Sequence, residues 1–452
     1  MPQTDDAENN DLHVPDNPAL TGKCWAPSTA PSRARDSTLV GPCVWAHTGG
    51  MTTVMIKGRV IGPRSVLDDH CVLVENGRIK QVAPTSQVLW PDDAAVVNAH
   101  GAFVAPGFVD MHVHGAMGRD TMDGALESLA QIARFHAAGG TTAMTPTTVT
   151  ADAGRIHAAL EAVALAQGRD FGGARIMGAH IEGPYLSPEK RGAHPASQVR
   201  LPDPAEYKAW LERDGLVTQM TFAPELPGGL ELLDALLEHE VLPSGGHTAA
   251  TGDQMREAVA RGLCQATHLF NCMSSAGKSG PWRVPGALET FLVEDQVMVE
   301  LIADGHHVHP GLMKLAIRAK GVDKICLITD AVAGAGLAEG TEFKVGDTTG
   351  VVRAGVGMTP DESGLVGSVS TMIQMVRNAV TLAGVSVVDA VRMASLNPAR
   401  ALGLSAHKGS LEPGKDADIV LFTPEYLVTH TMVAGRVEYQ DQSVIDGAQG
   451  VG

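Results

Sequence analysis

Between about residues 105 and 330, eight short β-rich runs alternate with helical stretches rich in Ala, Leu, Glu and Arg. The strands are expected to end near Asp110, Thr147, Glu182, Ala223, His247, Asn271, Asp304 and Asp330, with helices over Leu126–Ala138, Ala151–Ala166, Leu230–Glu240, Gly252–Arg261 and Gly311–Lys320. Parallel strands need a crossover between them, and a helix supplies it. Eight such units in about 220 residues predict an α/β chain folded as a (β/α)8 TIM-like barrel. Ser370–Ala383 and Val387–Ser395 are read as closing helices of a barrel spanning 105–404.

The flanks read differently. TVMIKGRVI and CVLVENGRIKQVA are short apolar runs, the second carrying Asn76-Gly77, a strong hairpin signal. Near the other end, Asp418–Phe422 and Leu427–Val433 repeat the pattern before Ala434-Gly435-Arg436-Val437. Residues 51–104 and 405–452 are therefore expected to join in a small β-sandwich domain built from both ends of the chain. Residues 1–50, with six Pro and no apolar period, read as an irregular extension, and Met51 as a candidate natural start.

Composition narrows the function. Apolar residues make up 44%, enough for a large core, and the net charge of −17 argues against binding to nucleic acid or an anionic membrane. Aromatics at 4% disfavour single-strand stacking platforms. There is no basic leader before an apolar stretch and no apolar run of about 18 residues, so a cytoplasmic enzyme is expected. The six Cys, at 24, 43, 71, 264, 272 and 326, lack finger spacing and are expected to be reduced, the last four as small buried residues.

Chemistry gathers at the strand ends. His112 and His114 lie two apart in PGFVDMHVHG and share one face of a strand, where two imidazoles can chelate a metal. Glu182 ends strand three as a hard oxygen ligand, while His180, on the same face, reads more readily as a packed barrel residue. His247 and His268 end strands five and six and offer neutral nitrogen. Strand seven ends with Asp304, His306, His307 and His309, and strand eight with Asp330. Such concentration at one barrel face is what a site requires. Strand four, VTQMTFAPE, has no Lys to carry a metal-bridging carbamate. No nucleophile elbow or P-loop appears, and Gly334-Ala335-Gly336 reads as a turn or mobile loop.

These motifs resemble the amidohydrolase superfamily and, within it, the N-acetylglucosamine-6-phosphate deacetylases, over about residues 52–440. The specific elements are His180–Pro184 with Gly192-Ala193-His194, then GGH, ATHLFNCM, IADGHHV, LITDA and LVGSVSTM; PGFVDxHxHG and LEPGKDADIVLF mark the superfamily alone. The resemblance implies a hydrolase using a divalent metal, zinc first, with iron, manganese or cobalt compatible. It places the ligands on Glu182, His247 and His268, the acid/base on Asp330, and an oxyanion donor on His194. Some family members hold a second ion on an HxH pair, a capacity His112 and His114 share. Substrate contacts are implied at Ala193, His194, Asn271, Cys272, Arg283, Asp304, His307, Leu365, Val366 and Gly367. Cys272 stands where the family usually has Ala, and PWRVPGAL only approximates the family segment around Arg283. The phosphate would be held by Arg283 and His307, with Arg283 donated by the partner in a homodimer. Rival readings are a galactosamine 6-phosphate or other N-acyl substrate, a ring aminohydrolase, and a non-catalytic barrel.

Overall fold

The structure, a computed structural model, describes residues 53–92 and 94–449. The expected extension over 1–50, Cys24, Cys43 and the start at Met51 lie outside the described residues. The eight expected strands are present, and all pair in parallel. They are Phe108–Val113, Thr141–Thr148, Ala179–Glu182, Val217–Phe222, Leu242–Gly245, Gln265–Ala266, Met298–Ile302 and Ile325–Ile328, neighbours in chain order.

The seam between strands one and eight closes at their C-terminal ends. Asp330 N donates to His112 O at 2.9 Å, and His114 N to Ala331 O at 2.8 Å. Within the seam the buried Asp110 accepts from the Thr329 hydroxyl at 2.5 Å and from its backbone N at 3.2 Å. Strands one and eight are thereby held in the register that puts His112, His114 and Asp330 together.

The barrel interior is polar for a core. Strand two, TTAMTPTT, is buried at every residue. Thr145 donates to Met111 O at 2.7 Å, and Thr221, Thr267 and Ser244 link hydroxyl to hydroxyl at 2.6 Å. β-branched Thr fits the pleat as Val does, and the hydroxyls of Thr142, Thr145 and Thr147 find backbone acceptors, whereas those of Thr141 and Thr148 have none. Outside the strands the helices bury one apolar stripe each. Leu126–Ala138 turns Leu129, Ile132, Ala133 and His136 inward, and each large aliphatic contributes roughly 1.5–3 kcal/mol.

One stretch departs from expectation. Instead of leading straight to closing helices, residues 342–368 form a four-stranded antiparallel sheet: Glu342–Val345, Thr348–Arg353, Val356–Met358 and Leu365–Ser368. Glu342–Val345 alternates exposed with buried residues, and tight turns at Gly346 and Ala354-Gly355 reverse the chain. Beyond it, the Ser370–Ala383 helix is α over Met372–Asn378, capped by Thr371 with Gln374, and relaxes to a π-turn over Ala379–Ala383.

Both ends of the chain contribute to one small β domain. It is a seven-stranded sheet in the order Arg436–Gln440, Val428–Val433, Ile419–Phe422, Ala95–Pro106, Thr53–Ile61, Val66–Glu75, Arg78–Pro84. Val54 and Ile56 join one apolar cluster and Met55 another, as alternation on a two-sided sheet requires. The two hairpin turns, Asn76-Gly77 and Ala434-Gly435, have positive φ at both residues and abut. A Cβ on Gly77 would lie 2.6 Å from Ala434 O, and one on Gly435 2.6 Å from Gly77 Cα. Among the described residues no helix is long and apolar enough to cross a membrane. None of the four described cysteines is in a disulfide; Cys71 and Cys326 are buried, Cys264 and Cys272 half-buried.

His136 supplies a test of the core. Its Nε2–H donates to Gly115 O at 3.3 Å, Nδ1 has no partner, and burial lowers its pKa to about 4 from 6.5. The fold accommodates the neutral ring, whereas the unfolded chain protonates below 6.5, so stability is lost as pH falls from 6.5 toward 4. Replacing it by His136→Met should shrink the loss between pH 7.5 and 5 by about 2 kcal/mol, read from urea unfolding of both chains. An unchanged acid loss would place the titrating group elsewhere.

Candidate metal centre and active site

Glu182 ends strand three with its carboxylate buried among five imidazoles. Oε1 lies 3.0 Å from His268 Nε2, 3.2 Å from His247 Nε2 and 3.5 Å from His112 Nε2. Oε2 lies 3.3 Å from both His114 Nε2 and His194 Nε2. Asp330 Oδ1 meets His114 Nε2 at 3.1 Å and His112 Nε2 at 3.4 Å. All seven residues are buried. His247, His268 and Asp330 each have positive φ, at 46°, 29° and 48°, a costly backbone that turns these side chains inward as their strands end.

The outer nitrogens decide what each ring offers. His112 Nδ1–H points to Glu300 Oε2 at 3.0 Å, His114 Nδ1–H to Thr147 O at 3.2 Å, and His247 Nδ1–H to Lys190 O at 2.8 Å. Carbonyl and carboxylate oxygens only accept, so these three rings turn an Nε2 lone pair toward Glu182. His194 is reversed: its Nδ1 accepts from the Thr150 backbone N–H at 3.1 Å, so Nε2 carries the proton. Glu182, His194 and His247 are close enough to hold an ion, yet His194 in this tautomer is a donor and not a ligand. Burial lowers its pKa to about 4, so it is a neutral donor at ordinary pH.

The electrostatics ask for positive charge. Burial pushes Glu182 up, but His112, His114 and His194 hold it well below the carboxylate range. Burial also pushes Asp330 up, and His112 and His114 bring it down to about 2. Burial pushes His112 and His114 down, yet Glu182 and Asp330 lift His112 well above its usual value and His114 to about 9. A divalent cation satisfies the same demand. His247 Nε2 and His268 Nε2 lie 3.0 Å apart, and His112 Nε2 and His114 Nε2 3.2 Å. Tetrahedral bonds of about 2.1 Å set ligands about 3.4 Å apart, so these spacings fit. His112, His114 and Glu182 form one cradle; Glu182, His247 and His268 form a second.

Other expected residues scatter. His180 is a packed residue: Nε2 meets the Thr221 hydroxyl at 2.8 Å, and burial holds its pKa well below normal. Asp304 Oδ2 holds His307 Nδ1 at 2.6 Å, leaving its other nitrogen available. Burial lowers the His307 pKa, but Asp304 raises it above its usual value. His306 and His309 are exposed and stay out of the cluster; His309 caps the helix Pro310–Lys320. The Cys272 side chain lies beside Gly192 and His247, while Asn271 turns its amide to His268 O and Leu269 O, both at 3.3 Å. The Ala193 carbonyl accepts from Thr348. Leu365–Ser368 lies along the end of strand eight, where Ser368 N donates to Asp330 O at 2.9 Å and a Cβ on Gly367 would strike Val332. Gly334-Ala335-Gly336 forms a turn. Arg283 sits exposed on the hairpin Gly277–Ser279/Trp282–Val284, and no contact joins it to the cluster. Sequence reasoning missed Glu300 and Thr150. A carboxylate in the apolar run MVELI was the available signal for the first; nothing in the sequence marked the second.

Comparison with known proteins agrees with this architecture. The amidohydrolase family model matches residues 103–437. An N-acetylgalactosamine-6-phosphate deacetylase of Escherichia coli O157:H7 is 36% identical over 86% of this chain and 99% of its own. An N-acetylglucosamine-6-phosphate deacetylase of Lysinibacillus sphaericus is 35% identical over 82% of this chain and 93% of its own. The solved structure of a mutant Mycobacterium smegmatis N-acetyl-D-glucosamine-6-phosphate deacetylase, in complex with N-acetyl-D-glucosamine-6-phosphate, superposes with a TM-score of 0.79. It is 31% identical and covers 86% of this chain and 100% of its own. Matched through the barrel and into both flanks of the small sheet, this chain belongs to the amidohydrolase family.

Proposed function

We propose that the chain is a metal-dependent deacetylase that hydrolyses N-acetyl-D-glucosamine 6-phosphate to D-glucosamine 6-phosphate and acetate. One observation carries it: a ligand cradle, a buried acid/base and an oriented N–H donor converge on one barrel face, in a chain whose relatives are named hexosamine-phosphate deacetylases.

Glu182, His247 and His268 would hold one divalent ion, and His112 and His114 with Glu182 a second. Zinc suits this nitrogen and oxygen set, and iron, manganese or cobalt could replace it. When bound, the ion polarises the acetamide carbonyl and lowers the pKa of the attacking water. Asp330 takes the proton of that water as its oxygen bonds to the carbonyl carbon. His194 donates from Nε2 to the oxyanion that forms. Asp330 then returns the proton to the amine nitrogen as the carbon–nitrogen bond breaks.

For the phosphate we assign His307, braced by Asp304, and Arg283, whose guanidinium binds phosphate in bidentate fashion. The exposed hairpin with Trp282 beside Arg283 supports donation to the partner of a homodimer. Ala193, Asn271, Cys272 and Leu365–Gly367 would line the sugar. The substrate is a metabolite, and we place the enzyme in the cytoplasm. The Escherichia coli relative's name supports a second reading, the 4-epimeric N-acetylgalactosamine 6-phosphate.

Acetate release from both epimers and from unphosphorylated N-acetylglucosamine tests this directly. N-acetyl-D-glucosamine 6-phosphate should give the highest kcat/KM. Equal rates without phosphate would remove the assignment of Arg283 and His307, and a faster galactosamine epimer would reverse the substrate order. Chelation should abolish turnover and zinc restore it. Asp330→Asn should lower kcat by roughly 10²–10⁴-fold, and His194→Gln by roughly 10²–10³-fold.

Subunit mixing tests the arginine. Arg283→Met and Asp330→Asn homodimers should each be nearly inactive. Random reassembly should return about a quarter of the wild-type sites, because each mixed dimer rebuilds one intact site. No recovery in mixed dimers would place Arg283 in its own subunit's site or outside any site.

A further inference from the structure

Glu300 takes no part in the reaction above, yet it is a fully buried carboxylate on a strand otherwise made of Met298, Val299, Leu301 and Ile302. A lone carboxylate there is costly unless its oxygens are satisfied. Oε1 accepts from Gln219 Nε2 at 2.6 Å. Oε2 accepts from His112 Nδ1 at 3.0 Å and from the His268 backbone N at 3.2 Å. Its one ion pair among the described residues is with His112, and no Lys or Arg reaches it.

Two consequences follow from where these bonds land. The His112 bond is to the side chain: it fixes the proton on Nδ1 and aims the Nε2 lone pair at Glu182 and Asp330. His180 packs edge-on against the same ring at 4.6 Å. With Glu300 in place, the ring is held by a hydrogen bond and by packing. The His268 bond is only to the backbone, and leaves that imidazole's own orientation to other contacts. Removing Glu300 therefore falls mainly on the cradle of His112, His114 and Glu182. A carboxylate behind a ligating imidazole also raises its basicity, and losing one costs about 10–100-fold in metal affinity.

We propose that Glu300 is the positioning residue that orients His112 for the metal position proposed above for His112, His114 and Glu182. The inference rests on the metal-centre reading above. Chelator-stripped chain, titrated with zinc against a chromophoric competitor and counted for zinc at saturation, should bind two ions. Glu300→Gln keeps an acceptor for His112 without the charge, and should weaken the second ion about tenfold. Glu300→Met removes the acceptor as well, and should weaken it by about a hundredfold while the first ion stays near wild type. His112→Asn should lose the same ion. Circular dichroism and melting of the stripped chains report folding; if Glu300→Met does not fold, Glu300→Gln carries the test.

Wild-type affinity for both ions in both variants overturns the inference. So does equal weakening of the two ions, which would make Glu300 a general brace. A wild-type chain that never takes a second zinc overturns it too, and leaves the deacetylase reading standing. A chain that binds no zinc and releases no acetate sinks both.

Discussion

A carboxylate buried among five imidazoles cannot be left uncompensated, and Glu182 imposes that condition on the whole barrel face. Its two oxygens lie 3.0–3.5 Å from rings carried by strand one, the loop after strand three, and strands five and six. Any ion held by one group of these rings shares Glu182 with the other group. Buried charge is retained only when it is matched nearby, so the strands must arrive at the rim in register. The seam through Asp110 and Thr329 keeps that register for strands one and eight.

The rest of the site is a matter of proton placement. His112, His114, His194 and His247 approach one carboxylate with similar spacing, and only the partner behind each ring distinguishes their roles. Oxygen acceptors behind His112, His114 and His247 free a lone pair; an N–H donor behind His194 frees a proton. The backbone amide of Thr150 thus leaves His194 presenting a proton where the other rings present a lone pair. Proximity alone would have counted His194 among the ligands.

The parts of this protein carried by local pattern were legible in its residues. The rim positions of Glu182, His247 and Asp330, at or within two residues of their strands' ends, could be read because strand, turn and helix follow one another along the chain. The helix Gly252–Arg261 forms over the expected residues, with Thr251 and Gln254 capping its start. Contacts between distant segments could not. Glu300 meets His112 across 188 positions, and Thr150 meets His194 across 44. The sheet over 342–368 was hidden for another reason: its short strands carry Gly and exposed charge, which read as loop between helices. Arg283 was legible as a charge on an irregular stretch, but its part in the site, as proposed, depends on a second chain.

The meeting of Gly77 and Gly435 bears on synthesis. The first three strands of the small sheet and Ala95–Pro106 leave the ribosome early, but Ile419–Phe422, which covers the open edge of Ala95–Pro106, emerges some 300 residues later. Until then that edge presents unpaired N–H and carbonyl groups, a surface that recruits other strands. At about 5–20 residues per second the exposure lasts roughly 15–60 seconds. Residues 419–440 thus act as a clasp on a sheet begun far earlier in the chain, and a chain stopped short of them would carry a finished barrel beside a sticky edge.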